Sequence, residues 1–284
     1  MKIAVTGSSG FIGSKLIKHL KWLGKDIIEI NRSNGIDITD WQQIKAIDGF
    51  EVLIHLAAVT FVPESFDNPL KFYYQNILGT LNILELCRKN NSKLIYTSSY
   101  AYGIPDYLPI DEKHPLKALN PYSQSKIIGE HLCEGYNRDF NLPVIMLRPF
   151  NIYGPGQNNR FLISQIISQA NTGEIHLKDP RPKRDYIFID DVIDIYTKCI
   201  EYDENTFEIF NIGSGKSYSV SEIANLILEN FDNEVLINFT GEVRKNEVLN
   251  TVADITKITE LLNWKQTVEL SEGIKKQYRE SITI

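Results

Sequence analysis

Gly7, Gly10 and Gly13 stand three residues apart, between an apolar run at 2–5 and a segment at 11–23 whose apolar residues recur at helical spacing (Ile12, Leu16, Ile17, Leu20, Leu23). A chain that passes this abruptly from strand to helix, with side chains omitted at the turn, brings bare backbone and a helix N-terminus to one spot. A pyrophosphate suits such a turn, because a Cβ would block its approach and the unpaired N–H groups and positive dipole end attract it. The chain beyond agrees. Residues 27–30, 52–56, 94–96 and 144–147 read as short, near-continuous apolar strands, with helical patterns at about 70–89 and 122–139 between them. Strands apolar on both faces are covered on both faces. The expected fold class is α/β, a doubly wound parallel sheet with a dinucleotide at its first turn.

After about Asn151 the texture changes. Pro and Gly cluster in RPFNIYGPGQNN, helical patterns fall near 161–170, 190–202, 220–229 and 255–262, a strand lies near 208–212, and a last helix starts at about Leu270. We expect a dinucleotide-binding domain from 1–152 and about 184–213, and a smaller substrate-binding region from about 153–183 and 214–284. Thirty Lys and Arg against 36 Asp and Glu give a net charge of −6 without a basic run, which excludes a dedicated nucleic-acid surface. The three cysteines, Cys87, Cys133 and Cys199, are too scattered for a disulfide framework or zinc cluster, and His19, His114, His131 and His176 show no ligand spacing, so no metal is expected. No signal-peptide pattern and no stretch of about 20 apolar residues is present, so the expected setting is cytoplasmic, away from membranes.

The second strand should end at the cofactor's adenosine ribose. Sites that prefer NAD usually place a carboxylate there, and a cation suits a 2′-phosphate. The segment here is Ile30-Asn31-Arg32-Ser33. It favours NADP(H), with Asn31, Arg32 and Ser33 in contact, and leaves NAD(H) open. Further on, Tyr122 and Lys126 are four residues apart on one helical face. A free phenol has a pKa of about 10, and a nearby ammonium, like an oxidised nicotinamide ring, would lower it toward service as an acid–base. Ser98, just beyond the fourth strand, is the expected holder of the reacting oxygen. Proton transfer at Tyr122 coupled to hydride transfer is the implied chemistry. His55, ending an apolar strand, reads as a packed residue. Asp190 and Asp191 read as helix-capping residues.

In chain order, TGSSGFIG at 6–13, DI at 37–38, HLAA at 55–58, NILGT at 76–80, TSSYAYG at 97–103, PYSQSK at 121–126, RPFNIYGP at 148–155, RDYIFIDDV at 184–192 and VADITK at 252–257 resemble one family nearly from end to end. It is the extended short-chain dehydrogenase/reductases of the NAD-dependent epimerase/dehydratase group, which act on nucleotide-activated sugars. The resemblance implies a Rossmann-like sheet with Phe11 and Ile12 beyond the glycine turn, Asp37 and Ile38 flanking the adenine, and Leu56, Ala57 and Ala58 along the cofactor. It implies Asn76 as a brace, and Ser98, Tyr122 and Lys126 as the catalytic set, with Ser99 and Tyr100 beside the sugar. Asn151, Arg184 and Arg244 match positions that hold the sugar nucleotide's pyrophosphate, although Arg244 opens R-K-N-E-V where the family often shows R-x-G-D-V. Phe72, Tyr73 and Tyr74 fall on a helix that dimerises in relatives, so a homodimer is expected.

Which reaction is a separate matter. A 4,6-dehydratase of this group carries Asp-Glu after its catalytic Ser or Thr, where this chain has Ser99-Tyr100, and no marker of a uronate decarboxylase is present. The favoured expectation is a 4-ketoreductase of an NDP-4-keto-6-deoxy sugar using NADPH, on the strength of the ribose end. The alternative is an NAD-dependent 4-epimerase. A non-catalytic NADP(H) sensor is the remote third, and it would have no need of the Ser98–Tyr122–Lys126 set.

Overall fold

The computed structural model describes residues 1–202, 207–231, 234–244 and 246–281. Its strands are β1 (Lys2–Thr6), β2 (Asp26–Ile30), β3 (Val52–His55), β4 (Lys93–Thr97), β5 (Val144–Pro149), β6 (Asn151–Tyr153), β7 (Glu174–Leu177), β8 (Lys183–Phe188), β9 (Phe207–Ile212), β10 (Ser217–Ser219) and β11 (Leu236–Phe239). Two compact units result. The first holds Met1–Gly103, Pro115–Pro149 and Ile193–Phe210; the second holds Ile104–His114, Phe150–Val192 and the chain from Asn211 onward.

In the first unit a six-stranded sheet runs β2-β1-β3-β4-β5-β9. The pairs from β2 through β5 are parallel. Ile3, Val5, Leu53, Ile54, Leu94 and Ile95 are all buried, because helices cover both faces. Strand order reverses between β1 and β3, and in open parallel sheets the crevice outside the carboxyl ends at such a reversal is where ligands sit. The long helix Pro121–Phe140 begins with the Asn120 side chain accepting from the Ser123 N–H. The pattern at 70–89 is not one regular helix. Helices Pro69–Tyr73 and Gly79–Asn90 are joined by a π-helical turn, Tyr74–Leu78. Such turns widen a helix locally and often coincide with functional sites. Here the turn carries Asn76, whose Oδ1 accepts from the Val59 N–H at 2.9 Å and whose Nδ2 donates to the Val59 carbonyl at 3.1 Å and to Ser125 Oγ at 2.9 Å.

The second unit contains the β10-β8-β6 sheet and the β11-β7 pair. Its centre is the buried Asp185 carboxylate, which accepts from the N–H groups of Ser214, Gly215 and Ala253 at 2.7–3.0 Å and from the Ser214 hydroxyl at 2.7 Å. Segments 104–114 and 184–192 fall in this unit, unlike the boundaries expected from sequence. The first is held by Ile110, whose N–H donates to the Val252 carbonyl at 2.8 Å, and the second by β8 pairing with β6 and β10. Asp190 and Asp191 both lie in the first turn of helix Ile189–Glu201, and Asp191 spends its carboxylate on a distant segment. It is buried and accepts from the Thr267 and Val268 N–H groups at 2.8 and 3.1 Å, anchoring a distant loop. Asp190 is exposed.

Among the described residues no helix is long and apolar enough to cross a membrane, and no group of His, Cys, Asp or Glu is placed to hold a metal ion. The three cysteines are buried thiols. Phe72 is core, Tyr73 half-buried and Tyr74 exposed.

Helix Pro121–Phe140 lies so close over β4 that a Cβ on Gly129 would fall 2.1 Å from the Tyr96 phenol oxygen. Gly129→Ala is expected to cost about 1–3 kcal/mol, as overpacked cores do. Thermal unfolding should show the loss, and Tyr96→Phe in the same chain should recover part of it.

Candidate active site

At the β1/β3 reversal lies a groove of about 240 Å³, lined by Gly7, Ser9 and Gly10 after β1, by Ile30–Arg32, Ile36 and Ile38 after β2, by Leu56–Val59 after β3, and by Gln75. Gly7 has φ +66°, and a Cβ there would meet the Ala57 nitrogen at 2.8 Å; a Cβ on Gly13 would lie 2.2 Å from the Gly7 carbonyl oxygen. The turn therefore closes only on glycine. The turn opens onto the N-terminus of helix Phe11–Trp22, with the apolar Ile36 and Ile38 further along, while the Leu56, Ala57 and Val59 N–H groups after β3 are already donated to Thr6 and Asn76. That donor set fits a dinucleotide, with amides for its pyrophosphate and apolar faces for its adenine.

Gly7, Gly10, Asn31, Arg32, Ile38, Leu56, Ala57 and Ala58 line the groove as expected from sequence, whereas Ser33 and Asp37 are not on its wall. Phe11, Ile12 and Gly13 belong to the first turn of helix Phe11–Trp22. Asn31 is buried and engaged, donating to Ser8 Oγ at 2.6 Å and accepting from the Asn34 N–H at 2.9 Å. Arg32 is engaged as well. Its Nε lies 3.3 Å from Asp37 Oδ2, and its Nη2 donates to Gln75 Oε1. Gln75 was not anticipated; it reaches the groove from the π-helical turn, which sequence periodicity had smoothed into plain helix.

Tyr122 and Lys126 share a helix face, but their electrostatics depart from expectation. Burial pushes the Tyr122 phenol up to about 12, opposed by a hydrogen bond from the Ser99 side chain. Burial likewise lowers the Lys126 ammonium to about 8, opposed by Cys133 and Glu130. Lys126 Nζ stands 4.5 Å from the centre of the Tyr96 ring. Desolvation is the largest cause for both, so the phenol is held protonated and the ammonium gives up its proton more readily than a free lysine does. The serines also differ from expectation. Ser98 is buried and donates to Glu130 Oε1 at 2.5 Å, so its hydroxyl is turned into the sheet–helix layer. The side chain that opposes the rise of the phenol is that of Ser99. The signal for the Ser98 contact was available in the strand period of two: continuing the alternation of β4 puts Ser98 with Leu94 and Tyr96 on the helix side.

His55 is packed, as its sequence context suggested, and its partners define its tautomer. Thr6 Oγ1 accepts from the Leu56 and Ala57 N–H groups, both at 3.1 Å, so its proton goes to His55 Nδ1 at 2.7 Å. His55 Nε2–H then donates to Thr80 Oγ1 at 3.1 Å, and Thr80 donates to the Asn76 carbonyl at 2.6 Å. With Asn76 bonded to Ser125, and Ser125 donating to the Tyr122 carbonyl at 2.7 Å, one buried chain of bonds joins the end of β1 to the catalytic helix.

In the second unit, Asn151 Nδ2 donates to the Asp185 carbonyl at 2.9 Å. Arg184 donates to Glu247 Oε1 at 2.6 Å and to the Val248 carbonyl at 2.5 Å. Arg244 is exposed, and Lys245 beside it lies outside the described residues.

A glycine-turn dinucleotide groove and a buried Tyr/Lys pair on one sheet define an oxidoreductase of the short-chain dehydrogenase type. The sequence model of the NAD dependent epimerase/dehydratase family matches residues 3–213, and the chain belongs to that family. It is thus an NAD(P)-dependent enzyme of the extended group that acts on nucleotide sugars, and the non-catalytic expectation is set aside. A Methanocaldococcus jannaschii protein, provisionally named a UDP-glucose 4-epimerase, is 35% identical, with 96% of each chain covered. The GDP-6-deoxy-D-talose 4-dehydrogenase of Aggregatibacter actinomycetemcomitans is 32% identical over 92% of this chain and 91% of its own. The crystal structure of Thermotoga maritima UDP-glucose 4-epimerase with UDP-glucose superposes with a TM-score of 0.92 at 29% identity, covering 100% of this chain and 99% of that one.

Burial lowers His55 to about 3 from 6.5, with Lys126 adding to the shift. The unfolded chain therefore binds a proton between those values that the folded chain refuses, and stability contributed by neutral His55 is present above 6.5 and lost as pH falls toward 3. Urea unfolding measured across this window should show that slope, and His55→Gln should flatten it.

Proposed function

We propose that the chain is an NAD-dependent 4-epimerase of a UDP-hexose. The observation that carries this choice is the engagement of Arg32. The expectation of an NADPH-dependent 4-ketoreductase rested on a cation free to meet a 2′-phosphate, and this guanidinium is instead paired with Asp37 and bonded to Gln75. A 2′-phosphate would have to displace both, whereas the 2′-hydroxyl of NAD need not. The full-length similarity to proteins named as UDP-glucose 4-epimerases supports the same reading. The absence of carboxylates at Ser99 and Tyr100 speaks against dehydration.

In this reading a nicotinamide dinucleotide held by the Gly7–Gly13 turn and by Leu56–Val59 supplies the hydride acceptor and, when oxidised, a positive charge that favours the phenolate. Tyr122 takes the proton of the sugar's C4 hydroxyl and returns it after the keto sugar has turned its other face. Ser99 holds the phenol oxygen in line, and Lys126 keeps the surroundings of the phenol positive. Arg184 and Arg244 receive the diphosphate, for which Arg184 exchanges Glu247 for phosphate oxygens. We assign a homodimer contact to the exposed apolar row of Phe66, Leu70, Tyr74 and Leu81.

Purified protein incubated with UDP-galactose and no added cofactor is expected to form UDP-glucose, and to release NAD when denatured. Tyr122→Phe should cut kcat by about 10²- to 10⁴-fold while leaving retained NAD unchanged. NADPH oxidation with an NDP-4-keto-6-deoxy sugar, and no epimerisation, would return the assignment to the reductase. Light scattering should give twice the mass of one chain, and Leu70→Glu with Tyr74→Glu should give a monomer.

A further inference from the structure

The Tyr96 ring, fully buried on the helix side of β4, has no part in the chemistry described above. It meets Lys126 twice. Its phenol donates to the Lys126 carbonyl at 3.4 Å, and the Lys126 ammonium stands 4.5 Å from the centre of its ring. The helix omits a side chain to admit it, since a Cβ on Gly129 would fall on the phenol oxygen. Lys126 is itself buried, and Glu130, the carboxylate one turn further along, is committed to Arg148 at 2.6 Å. What the ammonium meets at close range is the electron-rich face of an aromatic ring, which attracts a cation most strongly out of water. His55, whose ring centre lies 5.9 Å from that of Tyr96, is held neutral by burial, so it brings no second cation to the ring. Burial also keeps the Tyr96 phenol protonated, so the attraction is that of a neutral ring and not of a phenolate.

We propose that Tyr96 is a positioning residue whose ring holds the Lys126 ammonium charged and in place on the helix face it shares with Tyr122, an inference resting on the proton-transfer reading of Tyr122. Burying an ammonium favours loss of its proton, and an aromatic face beneath it counters that loss. A carboxylate in the same place would also keep the ammonium charged, but its own charge would oppose formation of a phenolate nearby. The ring does the first without the second. The groups facing Lys126 are Tyr96 from β4, His55 from β3, and Tyr122, Glu130 and Cys133 on its own helix. Of these the negative charge belongs to Glu130, and the Arg148 guanidinium offsets it.

Fluorinated phenylalanines at position 96 test this, because each added fluorine drains the ring face while hardly changing its size. Tyr96→Phe, which keeps the face, is the reference, and mono-, di- and trifluorinated forms of it are introduced into the full chain, with melting temperature followed throughout. The Lys126 titration is read by NMR on protein with isotope-labelled lysine side chains, assigned by its loss in Lys126→Met. In parallel, kcat and KM for the UDP-sugar are measured against pH on the NAD-loaded enzyme. An ammonium that loses its seat gives up its proton at lower pH. Across the series the midpoint of the Lys126 titration is expected to move down by about one pH unit, the worth of a desolvated cation–π contact, with the alkaline limb of kcat following and KM little altered. A titration that stays in place, a limb that does not follow it, or a loss of kcat that tracks melting temperature and not fluorine number would overturn the proposal. Because every form fills the core, the test does not hang on a variant with a cavity. Full activity in Tyr122→Phe would remove the proton-transfer reading and the proposal with it, whereas an unmoved Lys126 titration removes the proposal alone.

Discussion

The carboxyl end of β4 is where a strand's simplest property, its alternation of side chains, has chemical consequences. Leu94 and Tyr96 join the core under helix Pro121–Phe140, and Ser98 follows them to Glu130 on that helix. Lys93 and Thr97 take the other face, where Lys93 Nζ donates to the carbonyls of Cys199, Ile200 and Tyr202 and Thr97 meets the Tyr196 phenol at 2.7 Å. The Ser98 hydroxyl thereby ties the strand to the helix.

Burial supplies the second constraint. Taking Tyr122 and Lys126 out of water raises the phenol and lowers the ammonium, so the protein holds both in a state that a nearby positive charge can tip. This differs from an ammonium simply pressing its neighbour into a phenolate. The bond chain from Thr6 through His55, Thr80, Asn76 and Ser125 ties the glycine turn to the helix carrying the phenol with neutral groups only, and adds no competing charge.

Much of this was readable in one dimension. The glycine spacing, the apolar strands and the i,i+4 pairing of Tyr122 with Lys126 are local patterns, and each reports a local geometry: a turn without Cβ atoms, a strand buried on both faces, a helix face. Strands β6, β8 and β10 were not readable, because β6 and β10 are three residues each and all three are fixed by pairing with one another across distant parts of the chain. The π-helical turn escaped for a similar reason, since one widened turn hardly disturbs a helical apolar pattern.

The line between the two sources of knowledge runs through the side chains' partners. Residue types and their spacing established the sheet, the glycine turn and the pairing of Tyr122 with Lys126 on one helix face, since backbone geometry follows from nearest neighbours in the chain. Whether Arg32 is free or paired and which partner the Ser98 hydroxyl takes were decided only when Asp37, Gln75 and Glu130 came within reach, and the rise of the phenol followed from its burial. Charge and hydrogen bonding act through space at a few ångströms, and that distance is unrelated to separation along the chain.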